Sequence, residues 1–199
     1  MANNNAKKVI AGKPVPVSGG VRVGPLGTTL PTTANGTIDA ALVGAGYVAN
    51  AGLTKTESRE SRVTNDWGGL PIKRTQTSFG VQLSFAFLEY LNEEGAKAIY
   101  GDDAVTVAAA TSTHGEQINI AVSGKEAPHK TWLFDMADGD AILRIAVPDG
   151  QVTAVGDTTY STSDDALRQV TIDCFPDEDG NYYYELGDDG VKTSGGGGS

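Results

Sequence analysis

Apolar and polar residues alternate along the segment from Arg74 to Leu88. The apolar set on one face is Phe79, Val81, Leu83, Phe85 and Phe87, and the polar set on the other face is Arg74, Gln76, Ser78, Gln82 and Ser84. A period of two predicts a β-strand with one buried and one solvated face. About 15 residues at ~3.3 Å each reach roughly 50 Å, several times the usual strand length, which favours the wall of a barrel or tube.

Shorter alternating runs follow, and they predict a mainly β fold. They begin near Gln117, Leu143 and Gln169, and turn-forming residues separate them, among them Pro148-Asp149-Gly150. We expect a β-sandwich or barrel-like fold with one flanking α-helix, because only one segment has helical spacing.

That helix is predicted at about residues 89–100. Leu91, Ala98 and Ile99 are spaced to form an apolar stripe that packs on the Phe79–Phe87 face. Asn92 suits the N-cap position, and Gly101 stands where the helix should stop.

The charge and cysteine content exclude several classes of protein. The 199 residues carry a net charge of −10, which argues against a general nucleic-acid binder. Cys174 is the single cysteine, so no intramolecular disulfide forms. No metal site, cofactor or membrane-spanning segment is predicted.

The chain divides into three predicted parts: an extended N-terminal arm at 1–36, a β-rich domain at 37–186 and a flexible C-terminal tail at 187–199. Within the domain, residues 50–72 are predicted to be a long inter-strand loop of mixed charge, which suits contact with a complementary surface. The candidate contact residues in it are Lys55, Glu57, Arg59, Glu60, Arg62, Asp66 and Trp67.

No catalytic residue is predicted. Gly44-Ala-Gly46 has the start of a dinucleotide-binding motif, but Gly52 interrupts any helix after it and no β/α alternation follows. His114 and His129 lie in turn-like sequence, and no nucleophile motif accompanies them. The acidic stretch at 177–185 has the wrong spacing for a calcium loop.

A family resemblance adds to this interpretation over roughly residues 42–107. Three pieces occur in order: Gly46-Tyr-Val-Ala-Asn-Ala-Gly-Leu-Thr54, then Trp67-Gly68-Gly69 before the long strand, then Ala98-Ile-Tyr-Gly-Asp-Asp103 at the end of the helix. Together they resemble the major tail tube proteins of long non-contractile-tailed (siphovirus-type) bacteriophages, especially those that infect actinobacteria.

The resemblance implies a structural protein, not an enzyme. It implies hexameric rings that stack into a tube for DNA ejection, with the 50–72 loop contacting the next ring. Gln76, Ser78, Gln82 and Ser84 are then candidates to face the lumen.

The implied partners are further copies, a tape measure protein, tail tip or terminator proteins and passing DNA. The implied location is the virion tail, assembled in the bacterial cytoplasm. An Ig-like or carbohydrate-binding β-sandwich is the alternative from the residues alone, and a nucleotide-binding enzyme is a weaker one.

Overall fold

Within residues 8–15 and 20–192, which the computed structural model describes, the chain forms ten β-strands and one α-helix. In chain order they are β1 (Gly20–Pro25), β2 (Val43–Tyr47), β3 (Thr54–Asn65), β4 (Pro71–Phe87), α1 (Glu93–Tyr100), β5 (Val105–Ala108), β6 (Gln117–Ile120), β7 (His129–Asp138), β8 (Ala141–Val155), β9 (Arg168–Phe175) and β10 (Tyr184–Asp188). The mainly β fold class predicted from the alternating pattern is confirmed.

The main sheet curls into a barrel. Its hydrogen-bonded order is β2-β1-β7-β8-β9-β4-β3, every neighbouring pair is antiparallel, and β10 pairs with the first part of β8. The ring closes just after β2, where Val48 bridges to Phe87 and the Ala49 N–H donates to the Ala86 carbonyl at 2.9 Å. Closure removes one exposed sheet edge, while β3 keeps a free one.

The barrel interior is a single apolar core. It is filled by alternate side chains of the main strands, including Val21, Val81, Leu83, Phe85, Phe87, Trp132, Phe134, Ile145, Val147, Val170 and Ile172. Phe85 lies at its centre, with edge-on ring contacts to Phe87 at 4.9 Å and to Phe134 at 5.4 Å. Such pairs add stabilisation beyond the area they bury.

Local capping fixes the limits of α1. The Asn92 side chain accepts the Gly95 N–H at 2.9 Å, and Gly101 ends the helix with φ at +93°. Gly95 also permits close packing, since an added Cβ would lie 2.8 Å from the Ala45 carbonyl oxygen of β2. The helix therefore begins at Glu93, later than the predicted start at residue 89.

The predicted core set differs from the structure at one position. Val81, Leu83, Phe85, Phe87, Ala98 and Ile99 are buried, and Phe79 is half-buried against the same core. The prediction for Leu91 is wrong, because this side chain is 73% exposed. Leu91 precedes the N-cap and so does not belong to the helical stripe.

The predicted N-terminal arm is wrong for residues 20–36. β1 is an interior strand between β2 and β7, and its Val21 and Val23 are buried. The segment after it covers the outer face of the barrel, where a second cluster contains Leu30, Ile38, Leu42, Leu133, Ala146 and Tyr184. The folded domain therefore starts earlier than residue 37.

Two other predicted limits also shift. β10 reaches Asp188, beyond the predicted domain end at 186. The predicted turn at Pro148-Asp149-Gly150 is instead a continuation of β8, with an irregular register opposite Thr131. Proline lacks an N–H donor and is tolerated at such a bulge. Residues 1–7, 16–19 and 193–199 of the predicted arm and tail lie outside the described residues.

Candidate functional site: a projecting β-hairpin

The predicted loop at 50–72 is wrong, because most of it is strand. β3 and β4 pair from Thr54 opposite Ser84 to Asn65 opposite Pro71. β9 accompanies β4 only over Val81–Phe87, so the hairpin beyond that point leaves the barrel. We define the projecting hairpin as residues 58–78. Its eight β4 residues, 71–78, extend roughly 27 Å at about 3.4 Å per residue.

The projecting hairpin is exposed on both faces along its whole length. Its apolar side chains are in water: Val63 is 42% exposed, Leu70 66%, Ile72 67% and Trp67 fully exposed. A two-stranded ribbon is only marginally stable in water. Burying a tryptophan removes about 150–250 Å² from water, or ~4–6 kcal/mol of transfer free energy. The hairpin thus has an exposed apolar surface, and its burial against a partner would be favourable in free energy.

Hydrogen bonds define the turn at the hairpin tip. The Asp66 N–H donates to the Leu70 carbonyl at 2.8 Å, and the Leu70 N–H donates to the Asp66 carboxylate at 2.8 Å. Gly69, with φ at +84°, supplies the left-handed residue that the turn needs. Asp66 was predicted as a contact residue, and in the structure its carboxylate holds the turn, which leaves Trp67 at the apex.

A polar cluster fixes the base of the hairpin to the C-terminal part of the chain. Lys55 Nζ donates to Tyr183 Oη at 2.8 Å and to the Glu185 carboxylate, and it lies 4.4 Å from the centre of the Tyr183 ring. Tyr183 in turn donates to the Glu57 carboxylate. We call these four residues the hairpin clamp. Tyr183 and Glu185 were missed by sequence reasoning, since no local pattern relates them to β3.

The clamp shifts the pKa values of Glu57 and Lys55. The hydrogen bond from Tyr183, assisted by the charges of Lys55 and Arg59, holds the pKa of Glu57 below its usual value. Burial acts to lower the pKa of Lys55, but the hydrogen bonds to Glu185 and Tyr183 outweigh it and the pKa is raised. Both shifts favour the charged forms, so the clamp is an ion-paired network at neutral pH.

Next to the clamp, aromatic contacts secure the point where the hairpin leaves the barrel. The Arg59 guanidinium lies over the Phe79 ring, 4.3 Å from its centre. The Tyr182 ring meets Phe79 edge-on at 5.0 Å, and its hydroxyl donates to the Phe79 carbonyl at 3.4 Å. Lys55, Glu57 and Arg59 therefore make contacts within the subunit, whereas Arg62 and Trp67 lie further out.

The four lumen candidates lie along β4. Gln76 and Ser78 are exposed on the projecting hairpin, and the Ser78 hydroxyl donates to the Glu60 carboxylate at 3.1 Å. Gln82 and Ser84 are on the barrel wall, facing away from the core. The Gln82 amide donates to Asp173 at 2.7 Å. Ser84 and Thr171 share a hydrogen bond of 3.1 Å across to β9.

The other sequence motifs occupy ordinary structural positions. Gly44-Ala-Gly46 lies within β2. His114 is exposed, and His129 Nδ1 lies 2.6 Å from a carboxylate oxygen of Asp149. Among residues 8–15 and 20–192 no group of side chains is arranged to hold a metal ion. None of the helices in that part of the chain is long and apolar enough to span a membrane.

Comparisons with known proteins are consistent with a structural role. A family model described as phage tail tube protein matches residues 1–194. The chain belongs to the phage tail tube protein family, and it is a structural component of the virion tail.

The cryo-EM structure of the anti-feeding prophage cap (AFP tube terminating cap) is similar over 94% of this chain and 99% of that chain, with 9% sequence identity and a TM-score of 0.45. This similarity is distant, and the family match alone carries the assignment. A comparison with curated proteins gives no match.

Proposed function

We propose that the chain assembles into hexameric rings and that the rings stack into the tail tube of a siphovirus-type phage with an actinobacterial host. Family membership supports a tube subunit, and the resemblance of residues 42–107 supports the phage type. The observation that carries the stacking role is the projecting hairpin, whose apex is a fully exposed Trp67. Tubes need repeated contacts between subunits, and an exposed apolar projection supplies one.

Within a ring, the free edge of β3 is the proposed lateral contact. Among the described strands, β3 is hydrogen-bonded only to β4, so its other edge offers unpaired N–H and C=O groups. Pairing with a strand of a neighbouring subunit would satisfy these groups and extend the sheet around the ring. This edge strand includes Lys55, Glu57, Arg59 and Glu60, and its backbone groups make the contact. The side chains of Lys55, Glu57 and Arg59 stay engaged within the subunit.

Between rings, the distal part of the hairpin is the proposed contact. Arg62 and Trp67 lie there, beyond the reach of the clamp. The clamp sets the direction in which the hairpin leaves the barrel, because it joins β3 to the C-terminal segment. A rigid direction lowers the entropy lost when the hairpin binds the next ring.

The channel is the proposed path of genomic DNA during ejection. The candidates to line it are Gln76, Ser78, Gln82 and Ser84, whose side chains are uncharged. The chain carries a net charge of −10. A neutral or acidic lining does not bind phosphates, so DNA slides through. A tape measure protein inside the tube and tip or terminator proteins at its ends are the proposed partners, with assembly in the host cytoplasm.

The experiment compares the full chain with a hairpin-truncated variant by negative-stain electron microscopy and sedimentation velocity over a range of concentrations. In the variant, residues 61–77 are replaced by Asn-Gly, a sequence suited to a two-residue hairpin. The full chain should form hollow tubes or rings, and the variant should stay small while it keeps a cooperative thermal melt. Small full-chain particles at every concentration, or normal tubes from the variant, would contradict the proposal.

A further inference from the structure

A groove lies at the opposite end of β4 from the hairpin tip. It is formed where β4 ends and α1 begins, together with residues 165–166, and it has a volume of about 800 Å³. Leu88 and Leu91 give it an apolar surface, and they are 41% and 73% exposed. Leu91 is the residue that the helical pattern placed in the core, so the subunit by itself leaves this apolar side chain in water.

The groove is also acidic. The residues that line it include five carboxylates and no lysine or arginine: Glu89, Glu93, Glu94, Glu116 and Asp165. Lys97 compensates two of them, with contacts of 2.6 Å to Glu93 and 3.3 Å to Glu94. Within residues 8–15 and 20–192, Glu116 and Asp165 make no ion pair. Two carboxylates beside an apolar surface favour a basic, apolar partner.

The projecting hairpin has that complementary chemistry. Residues 58–78 contain four basic and two acidic side chains, a net charge of +2, although the whole chain carries −10. In the distal part the basic residues are Arg62, Lys73 and Arg74, and the carboxylate of Asp66 is engaged in the turn. The exposed apolar side chains of the hairpin, above all Trp67, lie among these charges.

We infer that this acidic groove receives the distal hairpin of a second copy of the chain. The inference rests on the proposed stacking function and names the receiving site. Tip and groove are at opposite ends of one strand, since β4 has 17 residues and spans at most about 58 Å. A contact between opposite ends repeats head to tail and builds an open filament. The same contact buries Leu91 and Trp67.

The test uses charge reversal on each side of the contact. The groove variant is Glu116→Lys with Asp165→Lys, and the hairpin variant is Lys73→Glu with Arg74→Glu. A control variant leaves the groove and the hairpin unchanged and instead reverses the charges of Asp103 and Glu126. Both residues are exposed and lie beyond the C-terminal end of α1. This control, D103K/E126K, changes the net charge as much as the groove variant does. The remaining two chains are the wild type and the combined variant with all four groove and hairpin reversals.

Assembly is measured as the lowest protein concentration that gives tubes, and thermal melting checks that each chain folds. We expect each two-site reversal of the contact to raise that concentration at least tenfold, and the control to leave it within twofold. The combined variant should recover tubes, because its tip and groove are again opposite in charge. A one-to-one mixture of the groove and hairpin variants should also recover them, for the same reason.

The outcomes separate the two proposals. If the wild type forms tubes and the groove variant does so equally well, the groove assignment is wrong and the stacking function stands. If both reversals prevent assembly but neither the combined variant nor the mixture recovers it, the two sites do not meet, which also overturns the inference. If the wild type never assembles, the proposed function fails and the inference with it. Should the groove variant not fold, E116Q/D165N replaces it. This neutral groove should still raise the concentration needed for tubes, and tubes formed as readily as by the wild type would overturn the groove assignment.

Discussion

The side chain of Trp132, on β7, packs against Gly150, on the neighbouring strand β8. The Trp132 indole N–H donates to the Gly150 carbonyl at 3.0 Å, and a Cβ on Gly150 would lie 2.8 Å from the indole ring. The same Cβ would lie 2.9 Å from the Ile172 side chain. Gly150 thus leaves the space that the buried indole occupies in the barrel.

Replacing Gly150 with alanine should destabilise the fold. The added methyl group overpacks the Trp132 site, which costs about 1–3 kcal/mol of unfolding free energy. Urea denaturation monitored by circular dichroism measures this change. The matched control is Gly124→Ala, where nothing lies within 4 Å of the added Cβ, and its effect should stay within about 0.5 kcal/mol. Equal effects at the two positions would contradict the packing argument.

Leu83 and Leu91 should respond very differently to truncation. Leu83 is fully buried, so Leu83→Ala leaves a cavity and should cost about 2–5 kcal/mol of unfolding free energy. Leu91 is 73% exposed, so Leu91→Ala should change stability by less than about 0.5 kcal/mol. Thermal and urea melting of dilute, unassembled protein measure both. A large loss for Leu91→Ala in the monomer would show that this side chain packs in the core after all.

The two leucines also illustrate how far sequence reasoning reaches. Alternation along β4 identified Leu83 because one face of that strand is buried, and burial is what produces a period of two. The projecting part of β3 is solvated on both faces, so it has no apolar period and resembles a loop. Leu91 fits a helical stripe by spacing alone, but the Asn92 cap starts the helix after it.

Contacts between distant parts of the chain account for the other differences. The Lys55–Tyr183 hydrogen bond joins residues 128 positions apart, and no local pattern encodes it. Pro148 and Gly150 resemble a turn in sequence, yet the bulge and the indole of Trp132 explain their place inside β8. The family resemblance indicated a tube subunit although residues 50–72 were assigned to a loop. It depends on the order of short motifs along the chain, and that order does not depend on the assignment of one strand.

The hairpin clamp should make stability depend on pH through Glu57. Its pKa is lowered in the folded protein, chiefly by the hydrogen bond from Tyr183. A lowered carboxyl pKa stabilises the fold above the unfolded value of about 4.3, and the contribution is lost as pH falls through the folded value. The melting temperature of Glu57→Gln should therefore lie below that of the wild type at pH 7, and the gap should narrow towards pH 3.

The control for this pH effect is Glu178→Gln. Glu178 is exposed, and among the described residues its side chain makes no hydrogen bond or ion pair. The melting temperature of Glu178→Gln should therefore equal that of the wild type at both pH 7 and pH 3. Tyr183→Phe provides a second check, since it removes the main cause of the shift while Glu57 stays in place. In a Tyr183→Phe background, the further change Glu57→Gln should lower the melting temperature at pH 7 by less than it does in the wild type. If Glu57→Gln lowers the melting temperature equally with and without Tyr183→Phe, the hydrogen bond from Tyr183 is not the main cause of the lowered pKa of Glu57.

Trp67 should act in assembly and not in folding. It is fully exposed in the subunit, so Trp67→Ala should leave the melting temperature of the monomer within about 2 °C of the wild type, as for surface substitutions in general. The same change should raise the concentration needed for tubes by at least tenfold, because burial of an indole contributes several kcal/mol at a contact. Trp67→Phe, which keeps an aromatic ring, should have a smaller effect.

Fluorescence gives a direct measure of the same burial, since the chain has only two tryptophans and Trp132 is fully buried. In the wild-type monomer, acrylamide should quench the emission of Trp67 efficiently, and the difference from Trp67→Ala isolates that signal. In tubes, acrylamide should quench a smaller fraction of the Trp67 fluorescence, and the Trp67 emission should shift to shorter wavelength. If tubes form with Trp67 as accessible as in the monomer, the apex of the hairpin lies outside the contact, and the residues along its strands must carry the stacking instead.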